Sequence, residues 1–209
     1  MEINKDKLVY TWGINDANYV TQKFEKLQSD SGLRKHRLMW ICPFYRAWKA
    51  MVQRCYSKSF LKNNPAYGGC SVCEEWKYFS NFKAWMETQD WEGKHLDKDL
   101  LVANNKVYSQ ETCIFISKTV NSFMTERHND RGVYPIGVYW SKDKQKFVAQ
   151  CNNPFTGDRG YLGTFDTPEE AHKAWLKRKL ELAKLLAAEQ EDSRIAEALI
   201  SKYGSYITK

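Results

Sequence analysis

A chain of 209 residues, 43% hydrophobic and 14% aromatic, suits one large folded domain or two small ones and argues against disorder. No apolar run approaches the roughly 20 residues that cross a bilayer, and the mixed-charge start "MEINKDKLVY" lacks the basic head and apolar core of a secretory signal. Membrane and exported classes are therefore set aside and a cytoplasmic location is expected, while the net charge of +7 points to a polyanionic partner.

Residues 1–35 show no sustained period and read as an N-terminal extension closing on the loop "SDSGLRKHR". Between Asp30 and Glu74 there is no acid, whereas Arg34, Lys35, Arg37, Arg46, Lys49, Arg54, Lys58 and Lys62 all fall inside. One part of the surface is thus expected to be strongly positive. Trp40, Phe44, Tyr45, Trp48, Tyr56 and Phe60 interleave with these cations, as suits either a helical core with a basic outside or a base-stacking surface.

Trp48, Met51, Val52 and Cys55 fall at helical spacing and predict a helix over Phe44–Tyr56, with Pro43 tolerated at its start. After the turn-rich "SKSFLKNNPAYGGC", the repeat of Trp76, Phe79, Phe82, Trp85 and Met86 predicts a short amphipathic helix pair with Ser80 as a cap. "LDKDLLVANNKVYSQETCIFISKTVNSFM" reads as strand, Asn-rich loop, strand and helix, and "TERHNDRGVYP" as a linker.

Beyond the linker, three alternating runs split by "SKDKQ" and "NPFTGD" lead into one helix. Thr167 stands at its cap, Pro168 at its first position, and Glu169 and Glu170 in its first turn. Ala171, Ala174, Trp175, Arg178, Leu182, Leu185 and Leu186 are expected on its packed face. Strand alternation assigns Val138, Phe147, Ala149, Leu162 and Phe165 to the core. The tail from Glu191 to Lys209 carries another helical pattern, "SRIAEALISKY", with no assigned partner.

The unit "GVYWSKDKQKFVAQC…RGYLGTFDTPEEAHKAW" resembles the APETALA2-type DNA-binding domain of plant proteins and phage nucleases, over about residues 132–188. The resemblance implies that the three strands enter the major groove of double-stranded DNA with the helix behind them. The expected contact residues are Tyr139, Trp140, Lys142, Lys144, Lys146, Gln150, Asn152, Arg159 and Tyr161. Cations neutralise phosphates and set register, whereas Gln, Asn and Arg pair with base edges. Arg159 and Tyr161 match the family's Arg-x-Trp, Tyr161 less well, and the strands carry fewer arginines than the plant proteins, so the target sequence is not transferable.

"YRAWKAMVQRCYS", "YGGCSVCEEWKYFSNFKAWM" and "LDKDLLVANNKVYSQETCIFISKTVN" resemble phage HNH homing endonucleases, whose ββα unit uses a histidine to activate water and oxygen ligands to hold a divalent metal. The expected fold class is accordingly α+β: an extension (1–35), an HNH-like helical and ββα-metal-like domain (36–128), a three-stranded antiparallel sheet on one helix (132–190) and a helical tail (191–209). If the chain is phage-encoded, its compartment is the bacterial host's cytoplasm.

The fit to the nuclease motif is partial, because Lys98 stands where its histidine is expected. A rebuilt site would use His95, Asp97 and Lys98 for catalysis, with Mg²⁺ on Asp97, Asp99 and Asn121, since His95, Asp97 and Asp99 share one face if they lie on a strand. "CSVC", from Cys70 to Cys73, has half the spacing of a structural zinc site, which Cys42, Cys55 or Cys113 would complete; a reduced thiol pair lining the core is the other reading. Two functions remain: a Mg²⁺-dependent DNA endonuclease, or a nuclease-derived repressor that occupies an operator without cutting. They separate at His95 and Lys98, and two DNA-contacting parts on one chain make a monomer sufficient.

Overall fold

The computed structural model describes residues 8–27, 35–125 and 133–204. The chain divides into two compact units, Met1–Phe115 and Ile116–Lys209.

In the first unit, β1 (Gln22–Leu27) and β2 (Lys35–Ile41) form an antiparallel ribbon. Lys23 faces Trp40 and Phe24 faces Leu38, so Met39 is an extra residue that bends the ribbon. The core lies behind α1 (Pro43–Tyr56), which buries Tyr45, Trp48, Met51, Val52 and Cys55 at the expected spacing. The aromatics of the basic block divide: Tyr45 and Trp48 are buried, while Trp40 is exposed on the ribbon. Trp48 meets Gly13, where a Cβ would lie 2.7 Å from its ring, and its indole N–H donates to the Trp76 carbonyl at 2.7 Å. A short helix α2 (Lys58–Asn63) and a two-residue strand β3 (Ser71–Val72) follow.

The next segment folds as a short helix pair, a 3-10 helix, Glu74–Lys77, and then α3 (Phe79–Met86). Ser80 is not its cap. It lies inside the first turn, where its own backbone N–H donates to the Asp16 carboxylate at 2.9 Å. A distant acid satisfies an orphan donor that no local side chain reaches. The strands β4 (His95–Asp97), β5 (Val107–Tyr108) and β6 (Ile114–Ile116) complete this stretch, β5 parallel to β3 and β4 beside β6.

The division between units precedes the expected linker, 126–132 of which lies outside the described residues. The second unit therefore starts with α4 (Lys118–Met124), whose Ser117 cap accepts from the Val120 N–H at 3.1 Å. Then come β7 (Val138–Ser141), β8 (Lys146–Asn152) and β9 (Arg159–Phe165), an antiparallel meander with β8 central. α5 (Pro168–Ala188) starts on a full capping box: Thr167 Oγ1 accepts from the Glu170 N–H, and the Glu170 carboxylate accepts from the Thr167 N–H.

The packed face of α5 runs Ala171, Trp175, Lys179, Leu182, Ala183, Leu186 and Ala187. The expected Ala174 and Arg178 are only half-buried, and Leu185 turns outward, 55% exposed. Lys179 takes an inner place because its ammonium donates to the Phe123 carbonyl at 2.8 Å and stands over the Phe123 ring. The tail helix α6 (Ser193–Gly204) buries Ile195, Leu199 and Tyr203. Tyr203 and Lys202 donate to the Phe123 and Met124 carbonyls, so α4, α5 and α6 are tied together at the C-terminal end of α4. No helix among the described residues is long and apolar enough to cross a membrane.

Candidate nucleic-acid interface

Directly paired residues of an antiparallel ladder share a face. Tyr139 opposes Val148, Ser141 opposes Lys146, Gln150 opposes Tyr161, and Asn152 opposes Arg159. These residues form one face of the sheet. The other face carries Val138, Phe147, Ala149, Cys151 and Phe165, with Ala149 and Cys151 buried where Trp175 of α5 closes over Gly137. A sheet covered on one side only has its second side solvated or bound to something.

The uncovered face is ordered by its own contacts. Gln150 Nε2 donates to the Tyr139 hydroxyl at 3.4 Å, and Arg159 Nε donates to Asn152 Oδ1 at 3.2 Å. The Lys144 ammonium stands 4.6 Å from the centroid of the Tyr161 ring, a cation–π geometry. Lys146 pairs with Asp166. Lys142 and Lys144 are exposed in the β7–β8 turn, where Gln145 has a positive φ of 49°.

Two positions differ from expectation. Trp140 opposes Phe147 and packs edge-on against it with ring centroids 4.8 Å apart, so it stands on the face opposite Tyr139. Thr164 joins the uncovered face opposite Val148. Strict alternation from Tyr161 misses it, because the ladder shifts between Ala149 and Gln150 and leaves Leu162 as an unpaired extra residue. That bulge moves the phase of β9 by one.

Four of the expected nuclease residues, His95, Asp97, Lys98 and Asp99, lie on β4 and in the turn after it, in the first unit. β4 ends at Asp97, so Asp99 is not on the strand and the projected alternation stops there. Asp97 Oδ1 accepts from the N–H groups of Asp99 (3.0 Å) and Leu100 (2.7 Å). Lys98 is buried, and its ammonium donates to Asp99 Oδ2 at 2.9 Å and to the Asn105 carbonyl at 3.0 Å. Asn105 returns the contact, donating to the carbonyls of Lys98 and Val107. His95 is exposed, and Asn121 belongs to α4 of the second unit.

Burial, then the charge of Asp99, raises the Asp97 pKa, although the two backbone donors pull the other way. For Lys98, burial lowers the pKa, but the Asp99 hydrogen bond and charge together with the charges of Cys70 and Asp97 outweigh it and the net direction is up. A lysine held in its protonated form has no lone pair with which to deprotonate water.

The cysteines sit in apolar surroundings. Cys42, Cys55, Cys70 and Cys113 belong to the core of the first unit, with Cys73 packed against it. Burial pushes the thiols of Cys55 and Cys113 up to about 12 and that of Cys73 up to about 11. Among the described residues, no three His, Cys, Asp or Glu side chains gather as metal ligands.

No family model matches the chain, and no solved structure matches it. The chain is similar to the ethylene-responsive transcription factor ERF116 of Arabidopsis thaliana, with 46% identity over 48 residues. That likeness covers 23% of this chain and 16% of the plant protein.

Proposed function

We propose that the second unit binds double-stranded DNA sequence-specifically through the uncovered face of the β7–β8–β9 sheet, and that the protein acts as a transcriptional regulator occupying its site without cutting it. The observation that carries this reading is the composition and order of that face. Amide, guanidinium, phenol and ammonium groups are held in place by Gln150–Tyr139, Arg159–Asn152 and Lys144–Tyr161 contacts, so little side-chain freedom is lost when they meet base edges and phosphates. The likeness to a plant transcription factor and the resemblance of the strand and helix sequence to APETALA2-type domains support it.

Binding without cleavage is favoured over the endonuclease reading by the turn at Asp97–Asn105. Its carboxylate and ammonium groups already hold backbone donors and acceptors, and Lys98 is kept charged.

The test begins with selection of a preferred duplex from a random library. Arg159→Ala is expected to relax discrimination at one position by about 1–3 kcal/mol. Supercoiled plasmid carrying the selected site, incubated with Mg²⁺ or Mn²⁺, is expected to be bound and not nicked. Nicking that disappears in His95→Ala would overturn the non-cutting assignment, and binding that shows no sequence preference would overturn the regulator.

A further inference from the structure

α4 has no part in a sheet-plus-helix DNA reader, yet it is built rigidly into the same unit. A cleft of about 1040 Å³ opens between α4 and the β7–β9 end of the sheet. Its floor is aromatic and apolar, with Phe123, Val138 and Trp175. One wall is α4, presenting exposed Lys118, Thr119 and Ser122, which fall on one side of the helix. Tyr139, Gln150, Asn152 and Arg159, four of the groups on the uncovered face, also line the cleft.

We propose that this cleft grips one sugar–phosphate strand of the duplex whose groove the sheet enters, with Lys118, Thr119 and Ser122 as phosphate contacts. The proposal rests on the DNA-binding reading of the sheet and adds a second wall to it.

Three observations favour a polyanion strand. No carboxylate lines the cleft among the described residues, whereas Lys118, Arg159 and Lys179 do. Short hydroxyl side chains on α4 let a backbone approach closely, and Ser and Thr are ordinary phosphate donors. The wall is also held in place: the Phe123 carbonyl accepts from Lys179 at 2.8 Å and from Tyr203 at 3.2 Å, and the Met124 carbonyl accepts from Lys202 at 2.8 Å. The elements that back the sheet thus fix α4 beside it, and a preorganised wall loses little freedom on binding.

The test uses the full chain and fluorescence anisotropy on two duplexes, the selected site and a random sequence, across a salt series. Lys118→Ala is expected to weaken both duplexes equally and to lower the salt slope by about one. Ser122→Asp, which places a negative charge in the cleft, is expected to weaken both by roughly tenfold or more. Both side chains are exposed, and matched thermal midpoints would exclude misfolding.

Unchanged affinity and slope in both variants, with Arg159→Ala still losing discrimination, would overturn the α4 wall and leave the sheet reading standing. Loss in the α4 variants with no effect of Arg159→Ala would sink the sheet reading and, with it, the cleft as a second wall to the sheet. A single-stranded oligonucleotide bound as tightly as the duplex would also overturn the proposal, because the two walls are then not placed by a groove.

Discussion

The Lys144 ammonium lies over the Tyr161 ring, 4.6 Å from its centroid, although the two residues belong to a turn and to the far edge strand. The contact spans the central strand and holds a cation on the uncovered face. Lys144→Ala is expected to weaken binding to specific and random duplexes alike and to reduce the salt slope by about one. Tyr161→Phe should keep the ring beneath the ammonium and stay close to the unaltered protein. Anisotropy titrations at several salt concentrations check both.

Gly137 has φ +82°, and a Cβ there would lie 2.1 Å from Trp175 Cδ1. Its carbonyl also accepts from the Gln150 N–H at 2.9 Å. Gly137→Ala combines a disfavoured backbone conformation with overpacking and is expected to cost about 2–5 kcal/mol. Urea unfolding measures it, and a loss below 1 kcal/mol would mean that α5 does not close on the sheet at this point.

Asp97 separates charge from hydrogen bonding. Its pKa is raised by burial and then by Asp99, so its ionised form opposes folding, and stability is expected to increase as pH falls through its folded pKa. Asp97→Asn keeps an oxygen for the Asp99 and Leu100 donors and removes the charge, and at pH 7 it should leave stability unchanged or slightly higher. Asp97→Ala leaves both donors without that oxygen and should cost about 1–3 kcal/mol. Equal losses in the two variants would show that the carboxylate charge itself is needed.

Lys98 titrates in the opposite sense. Asp99 raises its pKa in the folded chain despite burial, so its stabilisation is complete below the unfolded lysine value near ~10.4 and is lost as pH climbs through the folded one. Lys98→Met is expected to lose roughly 1.5–3 kcal/mol at pH 7 and to show a shallower decline between neutral and alkaline pH. The difference between the two unfolding profiles isolates this lysine from Tyr108, whose ring it faces at 5.9 Å.

Thr167→Ala removes the hydroxyl that accepts from the Glu170 N–H. A loss of about 1 kcal/mol is expected, with Thr167→Ser restoring most of it. Thermal unfolding of the three proteins checks the assignment.

The most legible segments were those whose structure is set locally. α1 begins at Pro43 and buries the residues its period predicted, and α5 begins at the cap, proline and acids read from "DTPEEA". The strand alternation sorted Val138, Phe147 and Ala149 from Tyr139, Gln150 and Asn152, because a pleat has a period of two wherever the ladder is regular. It failed at Thr164, two residues past the Leu162 bulge, since an extra residue changes phase without any required residue type.

Long-range partners were not legible. Nothing near Ser80 announces that Asp16 satisfies its N–H, and nothing in "LAKLLAAEQEDSRIAEALISKY" says that Lys179, Lys202 and Tyr203 converge on the last carbonyls of α4. Nor does "KHLDKD" disclose that Lys98 closes onto Asn105. The sequence by itself determined where helices start, which strand residues alternate and where cations gather, because those depend on neighbours within a few positions. Only the tertiary structure decided that the candidate nuclease turn satisfies its own polar groups, and that α4 stands as a wall beside the sheet. Both depend on which distant donors and acceptors folding brings within 3 Å or so of one another.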